Sequence, residues 1–252
     1  MNKIIEKLAH FYRKQLFQPT VPAGLFLNDF FIPRGGLFRF IQSQADSVRG
    51  NVLDIGCGSK PYQNLFSCEK YTGVDIENEG HSHENENIDF YYDGKKLPFE
   101  NYSFDNAVCF EVLEHVFDPD LFLTEINRVL KPGGKLLMTT PFIWNEHEIP
   151  NDYGRYSSYG LTYLMKKNGF EVVSLKKILN GPELFIVLLQ VYFNDFRYWL
   201  TRKLLFIPKV RWIIFILFMP LIFILNFIGW LLTYFFRDDR FYFNNGVLVR
   251  KK

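Results

Sequence analysis

The stretch VLDIGCGSKPY, residues 52–62, decides the fold class. An apolar run that ends at Asp54 and turns through Gly56 and Gly58 is typical of a buried strand entering a tight turn. Glycine in such a turn lets a ligand approach the bare backbone closely. KYTGVDI follows as a second strand and ends at Asp75, 21 residues after Asp54. An acid at that place is suited to hold a ribose diol, so the two strand ends together favour a nucleoside-type ligand.

Strand-like and helix-like segments alternate on either side of this stretch. Further strands are expected at IDFYY, FDNAVCF, 135–140 and EVVSLKKIL, and FYFNNGVLVRKK predicts a hairpin or a closing strand. Helices are expected over 2–17, 36–47, 120–130 and 158–168, with a loop over 18–36. This alternation predicts an α/β protein with a mostly parallel, doubly wound sheet and helices on both faces.

The first turn also bears on which nucleoside cofactor would fit. A dinucleotide fingerprint, GxGxxG, would need glycine at position 61, where this chain has Pro61. Proline removes an N–H group that a pyrophosphate would use. The sequence therefore disfavours a nicotinamide-dependent oxidoreductase.

Four motifs in order resemble the class I S-adenosylmethionine-dependent methyltransferases of the methyltransferase-11 type. They are VLDIGCGSK, GVDI, DGKKLPFENYSFDNAVCFEVLEHV and NRVLKPGGKLLMTTP, and the likeness runs from about Val52 to Phe142. The resemblance implies a Rossmann-like, seven-stranded sheet and S-adenosyl-L-methionine as the cofactor. Lys60 stands where the first motif has its third glycine, which places the detail of that loop in question but not the cofactor.

The resemblance also implies roles for individual residues. The acid and the glycines of the first motif would hold the methionine portion, the second acid the ribose and the third the adenine amine, while a later glutamate would line the cofactor. The implied cofactor-binding residues are Asp54, Gly56, Gly58, Asp75, Asp93 and Glu111.

The segment PFIWNEHEIPNDYGRYSS, residues 141–158, follows a strand end and so belongs to the sheet edge where ligands bind. It is similar to an H-E-x-P-x-D-x-x-R-[YF] stretch of methyltransferases found with polysaccharide-biosynthesis enzymes. His147, Glu148 and Arg155 are the predicted catalytic residues, and His147 is a candidate base for a hydroxyl proton. The alternative is that His147 and Arg155 only staple the loop through Glu148 and Asp152.

No metal site is expected, because methyl transfer from a sulfonium is a direct displacement. His81 and His83 lack a convincing third ligand and are predicted to lie in a solvated loop. His115 follows the fourth strand, and a helix-capping or packing role is expected for it.

Composition excludes several classes of protein. The net charge of +2 argues against a nucleic-acid binder, and 28 Phe with 14 Tyr exclude a disordered coil. Three scattered cysteines indicate a reducing compartment rather than a disulfide scaffold. The N-terminal segment has no uninterrupted apolar stretch of the kind that a signal peptide requires. An oligomer is compatible with everything in the sequence.

An apolar insertion interrupts the chain before its last predicted strand. Trp212 to Phe236 is a run of 25 residues without a charge, and five basic residues lie just before it, at positions 197–211. If 246–250 closes the sheet, the insertion must return to the side of the membrane that it left, so a single crossing is impossible. Pro220 and Asn226 permit a break in the run.

These features predict four segments: N-terminal helices over 1–50, a cofactor-binding methyltransferase domain over 51–180, a membrane-associated insertion over 181–240 and a closing strand over 241–252. The expected function is O-methylation of a lipid-linked saccharide or glycan precursor, or another small acceptor, at the cytoplasmic membrane face, with membrane contact through 182–236. The alternatives are methylation of a membrane quinone or lipid, and a catalytically inactive cofactor-binding scaffold.

Overall fold

The structure, a computed structural model, describes residues 11–12, 14–20, 24–76, 87–207 and 209–252. A seven-stranded sheet has the order β3-β2-β1-β4-β5-β7-β6, with β7 antiparallel to both of its neighbours and the other pairs parallel. The strands are β1 Asn51–Ile55, β2 Lys70–Ile76, β3 Phe90–Tyr92, β4 Phe104–Phe110, β5 Leu130–Pro141, β6 Phe170–Ile178 and β7 Asn244–Lys251. The predicted mostly parallel, seven-stranded sheet is confirmed.

The central strands are covered on both faces, which explains their continuous apolar runs. Leu53, Ile55, Val108, Leu136 and Met138 are fully buried in the core. Parallel strands with buried faces place their carboxyl ends at one edge, and β1, β2, β3 and β4 run in the same direction. The loops that follow these four strands therefore meet at that edge.

The helices are α1 Gly24–Leu27, α2 Phe31–Gln44, α3 Pro119–Val129, α4 Ser158–Lys167, α5 Glu183–Lys203 and α6 Val210–Leu232. Asp118 caps α3, because its side chain accepts the N–H of Leu121, and Ser157 caps α4 by accepting the N–H of Gly160. Both caps appear in the sequence as a small polar residue directly before the apolar period. Residues 11–12 and 14–17 are helical, and the rest of the predicted 2–17 helix lies outside the described residues.

One local prediction was wrong, and one open alternative is decided by the structure. The predicted loop 18–36 contains α1 and the start of α2, because Pro33 falls in the first turn of α2, where a missing N–H costs no helical hydrogen bond. Of the two alternatives for FYFNNGVLVRKK, the closing strand is confirmed and the hairpin is not formed, because Asn245 and Gly246 lie inside β7. Glycine is required at position 246 because the ring of Phe40 packs against it: a Cβ on Gly246 would lie 2.5 Å from Cε1 of Phe40.

Pro220 and Asn226 were expected to permit a break in the apolar run, but α6 continues through both. The helix before it, α5, ends at Lys203. The buried side chain of Asn226 finds partners: it donates to the carbonyl oxygens of Leu25 and Asn28 at 2.9 and 3.0 Å and accepts from Gln190 at 2.8 Å. A polar group satisfied in this way does not interrupt a helix.

The chain forms two compact units. One contains the described residues up to Phe38 together with Leu179–Tyr242, and the other contains Arg39–Ile178 and Phe243–Lys252. The first holds α5 and α6, which pack on each other, and α1, which packs on α6. The second holds the sheet. The N-terminal segment predicted over 1–50 is thus divided between the units at Phe38.

Candidate active site

Acidic side chains follow or end the first four strands at one edge of the sheet. Asp54 lies near the end of β1, Asp75 near the end of β2, Asp93 directly after β3 and Glu111 directly after β4. Parallel pairing sets Ile76 beside Tyr92 and Ile55 beside Cys109, which brings the four acids to the same edge. Strand pattern and spacing pointed to Asp54 and Asp75, and the family resemblance implied Asp93 and Glu111.

The glycine turn after β1 is tied to the second acid. The N–H of Gly58 donates to Oδ2 of Asp75 at 2.9 Å, and the N–H of Ile76 donates to its Oδ1. Gly58 has φ +44°, and a Cβ built on it meets no heavy atom of the described residues within 4 Å, so these residues leave its backbone accessible. Gly56 has a different role: at φ +69° its Cβ would lie 2.3 Å from Val112, so glycine is required for packing.

Lys60, which replaces the third glycine of the motif, turns back under β2. It is buried, and its Nζ donates to Oδ2 of Asp89 at 2.6 Å, an oxygen that also accepts the N–H of Gly73. The lysine charge is therefore compensated inside the loop. The edge keeps the negative charge of its strand-end acids, which suits a cationic ligand and opposes a diphosphate.

Asp54 is buried, with 4% of its surface exposed, and its Oδ2 accepts the hydroxyl of Tyr71 at 2.8 Å. Burial raises the pKa of Asp54 to about 7, and the nearby charge of Asp75 adds to the increase, while the Tyr71 hydroxyl opposes it. The Asp54 carboxyl is therefore a buried group beneath the glycine turn and not an exposed one.

Asp93 is exposed, and its Oδ1 accepts the N–H groups of Lys95 and Lys96, which lower its pKa. Glu111 has φ +56°, and both of its carboxylate oxygens lie 2.6 Å from Nδ2 of Asn244, the first residue of β7. No local pattern predicts this contact, because 133 residues separate the two partners.

The loop 142–157 is fixed to the sheet at both ends. The N–H groups of Phe142 and Ile143 donate to the carbonyl of Phe243, and Nδ2 of Asn245 donates to the carbonyl of Tyr156 at 2.7 Å. Arg155 then closes the loop on itself, since its guanidinium bonds both oxygens of Asp152 at 2.5 and 2.7 Å. This pair lowers the pKa of Asp152 to about 2. These contacts of Arg155 with Asp152 are those that the alternative interpretation, a loop held together by Arg155, would require.

His147 of this loop contacts His115, which lies in the turn after β4. Their ring centroids lie 4.7 Å apart in an edge-to-face arrangement. Nδ1 of His147 lies 3.3 Å from Oδ2 of Asp152, and burial, followed by the charge of His115, lowers the pKa of His147. Nε2 of His115 lies 3.6 Å from Oε2 of Glu148. The helix cap expected of His115 belongs to Asp118 instead.

Glu114 completes this group, and sequence reasoning missed it. The residue is fully buried, burial and the neighbouring Glu111 raise its pKa well above the usual range, and Oε1 lies 4.0 Å from Nε2 of His115. Its backbone carbonyl accepts the N–H groups of Tyr153 and Gly154, which joins the turn after β4 to the loop. The sequence feature that could have pointed to Glu114 is a second acid among the apolar residues of EVLEHV.

The edge as a whole fits S-adenosylmethionine. Gly58 leaves the backbone open to a ligand, and Asp75 is tied to that open turn. The cofactor is a sulfonium cation at its reactive centre, which matches the acidic edge. His81 and His83, the pair considered for a metal, lie outside the described residues.

Comparisons with known proteins agree with this assignment. The methyltransferase domain family matches residues 53–138. A fatty-acid O-methyltransferase of Mycolicibacterium smegmatis is 33% identical over 114 residues, 41% of either chain. The O-methyltransferase rstn1 of Aspergillus nomiae is 28% identical over 56% of this chain and 74% of its own. A ubiquinone biosynthesis O-methyltransferase of Idiomarina loihiensis is 32% identical over 40% of this chain and 46% of its own. The chain thus spans less than half the length of two of these relatives.

Solved structures share the fold at low identity. Phosphoethanolamine N-methyltransferase 2 of Haemonchus contortus, in complex with S-adenosyl-L-methionine, superposes with a TM-score of 0.53 at 19% identity, over 95% of this chain and 60% of its own. The [4+2]-cyclase SpnF superposes with a TM-score of 0.54 at 18% identity, over 87% and 81%. Because a cyclase shares the architecture, the fold alone does not identify the reaction.

Proposed function

Because residues 53–138 belong to the methyltransferase domain family, of the class I S-adenosylmethionine-dependent type, we propose that this chain transfers a methyl group to an oxygen of a membrane-borne acceptor. The observation that carries the proposal is the meeting of two groups of side chains at one sheet edge. The strand-end acids form the cofactor side, and the loop 142–157 with His147 forms the acceptor side. Three of the relatives are named as O-methyltransferases, which supports oxygen as the atom methylated.

S-adenosylmethionine, when bound, supplies an electrophilic methyl group on sulfur. Asp75 and the open turn at Gly58 would hold its ribose side, Asp93 its adenine amine, and Asp54, Gly56 and Glu111 would line the remainder. The protein then has to orient the acceptor hydroxyl for in-line attack and keep water out.

His147 is the base that we propose for the acceptor hydroxyl. Its lowered pKa keeps the imidazole neutral near pH 7, so that it has a lone pair for a proton. Asp152, 3.3 Å from Nδ1, would stabilise the imidazolium that forms, and Arg155 positions Asp152. Glu148 lies beside His115, with its Oε2 at 3.6 Å from Nε2 of that ring. Its negative charge would also favour the imidazolium form of His147.

Membrane binding is the second part of the proposal and rests on α6. By length and composition Val210–Leu232 could cross a bilayer: its most apolar 18-residue window has a mean hydropathy of 2.5, and only 28% of that window is buried. A core helix of a soluble protein would be mostly buried. Large apolar side chains are exposed along it, among them Trp212, Ile216, Leu217, Ile224 and Leu231.

The sheet limits how this helix can meet a membrane. Ile178, the last residue of β6, is in register with Asn244, the first residue of β7, so the chain leaves and re-enters the sheet at one place. A single crossing by α6 would put β7 on the far side of the membrane from β6. The two strands pair in one sheet, and an open sheet does not span a bilayer, so a single crossing is excluded. The neighbouring α5 carries Asp195, Arg197 and Arg202, which favours a helix pair that re-enters or lies in the interface.

Arginines at the end of this helix pair suit an anionic surface. Arg197, Arg202 and Arg211 line one groove between α5 and α6. Basic residues beside an apolar helix bind the phosphate groups of lipids, and the cytoplasmic leaflet carries the negative charge that attracts them. We therefore place the chain at the cytoplasmic face of the cell membrane.

The acceptor that we propose is a lipid-linked saccharide or glycan precursor. The H-E-x-P-x-D-x-x-R-Y loop supports sugar hydroxyls, and the apolar unit supports a lipid anchor on the acceptor. The second candidate is a membrane quinone or fatty acid, which is favoured by the names of the ubiquinone and fatty-acid relatives.

Radiolabelled methyl transfer tests the function. The full chain in detergent is incubated with methyl-labelled S-adenosylmethionine and a membrane lipid extract, and the lipids are fractionated before and after mild acid hydrolysis. Label that becomes water-soluble on hydrolysis identifies a lipid-linked saccharide, and label that stays with the lipid supports the second candidate. Absence of label in every fraction, with cofactor binding intact, would favour an inactive scaffold.

The base is tested separately with His147→Ala. We expect transfer to fall by about 10²–10⁴-fold while cofactor affinity is unchanged, since a positioned general base contributes roughly that factor. Glu146→Gln, an exposed carboxylate of the same loop, is the matched control and should retain the wild-type rate. A His147→Ala protein that transfers methyl at the wild-type rate would rule out this base.

A further inference from the structure

Three potential metal ligands converge in the turn after β4 and the loop after β5. One ligand atom from each of Glu114, His115 and His147 lies within 4.8 Å of the other two. Glu148 adds a second carboxylate, with its Oε2 at 3.6 Å from Nε2 of His115. The three residues come from positions up to 33 apart in sequence, and nothing in their spacing announces the group.

An orphaned buried oxygen points into this group. Within the described residues, Oε1 of Glu114 has no hydrogen-bond donor, although the residue is fully buried. A buried carboxylate oxygen without a donor costs free energy unless a proton or a cation compensates it. Nε2 of His115 lies 4.0 Å from this oxygen.

Hydrogen bonds on the far side of both rings leave lone pairs available. Nδ1 of His115 lies 2.6 Å from the carbonyl oxygen of Asn151, which can only accept, so Nδ1 carries the proton in the neutral ring. Nε2 then faces Glu114 and Glu148 with a lone pair. Nδ1 of His147 similarly lies 3.3 Å from Asp152 and from the carbonyl of Asn145. Histidine ligands of metals are held by this kind of second hydrogen bond.

We propose that Glu114, His115 and His147 form a binding site for one divalent transition-metal ion of the Zn²⁺ type, with Glu148 available as a fourth ligand. Two imidazoles and a carboxylate suit Zn²⁺, whereas Mg²⁺ and Ca²⁺ prefer sites made of oxygen. Zn²⁺ binds these atoms at about 2.0–2.2 Å, so side-chain movements of about 1 Å would close the site.

The surrounding contacts hold the ligands in place before any ion arrives. The N–H of Tyr153 donates to the Glu114 carbonyl at 2.7 Å, and the N–H of His147 donates to Asp152 at 2.9 Å. Arg155 fixes Asp152 in turn, so the stapled loop holds His147 beside the buried acid. The same loop orients His115, which lies in the turn after β4, through the carbonyl oxygen of Asn151.

The ion binding stands without the proposed function, but its chemical role rests on it. In the ion-free chain His147 has the role of base proposed above; with an ion bound, its lone pair would go to the metal, and the ion would replace it in activating the acceptor. The cation would then favour the deprotonated form of an acceptor hydroxyl that reaches it. The hydroxyl proton leaves to water, the oxygen bonds to the methyl carbon, and the carbon–sulfur electron pair remains on sulfur.

Calorimetric titration with Zn²⁺ tests the site in the full chain after removal of metal with a chelator. We expect one ion per chain for the wild type and for the control Glu146→Gln. Glu114→Gln and His115→Gln should each weaken binding at least 100-fold, and Mg²⁺ should not compete. Co²⁺ gives a second readout, because a site with nitrogen and oxygen ligands produces visible absorption that both variants should lose.

Cofactor binding shows whether each variant is folded, and His147→Gln replaces any variant that is not. The proposal is overturned if the wild type binds no stoichiometric Zn²⁺, which would mean that a proton shared by His115 and the two glutamates compensates the charge. It is also overturned if folded Glu114→Gln and His115→Gln bind as the wild type does. Zn²⁺ binding without methyl transfer would keep the site and reject the proposed function.

Discussion

At the scale of single residues, Asp54 shows a conflict between stability and ligand binding. Its pKa is raised to about 7 by burial, against an ordinary value of 3.8. The unfolded chain therefore holds fewer protons than the folded one between about pH 4 and pH 7, and stability falls as the pH rises through that range. At about 1.4 kcal/mol per pKa unit, the cost of ionised Asp54 has an upper bound of about 4 kcal/mol.

Replacing this carboxyl should remove that cost. We expect Asp54→Asn to raise the free energy of unfolding of the ligand-free protein at pH 8 by about 1–2 kcal/mol, because the amide carries no charge and its oxygen can still accept from Tyr71. Thermal unfolding of both proteins between pH 5 and pH 8 measures this. Equal pH slopes for the two proteins would contradict the pKa assignment.

Residues differ in how well the sequence predicts them. Asp54, Asp75 and the glycine turn follow from strand pattern and spacing, since both are local. Glu114 could not be predicted in the same way, because its importance arises from burial and from His147, 33 positions away. The contact of Glu111 with Asn244 likewise depends on β7 closing the sheet beside β5.

At the scale of elements, the loop 142–157 is the most informative segment. The sequence left open whether its polar cluster is catalytic or only structural, and we propose from the contacts of Arg155 that this residue has a positioning role. Its guanidinium bonds Asp152 and the carbonyls of Gly154 and Asn145. The loop therefore keeps its shape through one side chain.

Removing that side chain should loosen the loop without touching the cofactor. We expect Arg155→Ala to raise the KM for the acceptor about tenfold or more and to leave cofactor affinity within twofold, since a bidentate pair has no other donor to replace it. Arg155→Lys keeps the charge but loses the planar fork, so it should recover only part of the effect. An unchanged acceptor KM in both variants would contradict the positioning role.

Element boundaries failed where local signals misled. Pro33 and the glycines of PRGG indicate a loop, yet α2 passes through them because proline costs little in a first turn. Pro220 and Asn226 permit a break in the apolar run, yet α6 continues, and Asn226 is satisfied by partners far away in sequence. The first difference is a matter of position within the helix, and for Asn226 tertiary contacts outweigh a local preference.

At the scale of the whole molecule, the chain joins a sheet unit to a unit with exposed apolar helices. The insertion was visible in the sequence as a charge-free run, but its pairing with the N-terminal segment was not. α1 packs on α6, and the Phe26 and Phe223 rings stack at 4.2 Å. No short-range pattern could reveal a contact over such a distance.

Membrane binding should depend on the exposed face of α6. Ile216 and Leu217 are 62% and 70% exposed, so Ile216→Glu with Leu217→Glu should leave the fold intact and reduce flotation with anionic vesicles at least tenfold. Tyr159→Glu, at an 85% exposed position of the sheet unit, is the matched control and should float as the wild type does. Equal flotation of the α6 double variant and the control would contradict the membrane assignment.

Calorimetry with S-adenosylmethionine tests the central claim, that the edge formed by β1 to β4 holds this cofactor. The account predicts one molecule bound per chain, with affinity reduced at least tenfold in Asp75→Ala, because this acid is tied to the open turn at Gly58. Glu171→Gln, an exposed carboxylate of β6, should bind as the wild type does. Undiminished binding in Asp75→Ala, or no binding by the wild type, would contradict the account.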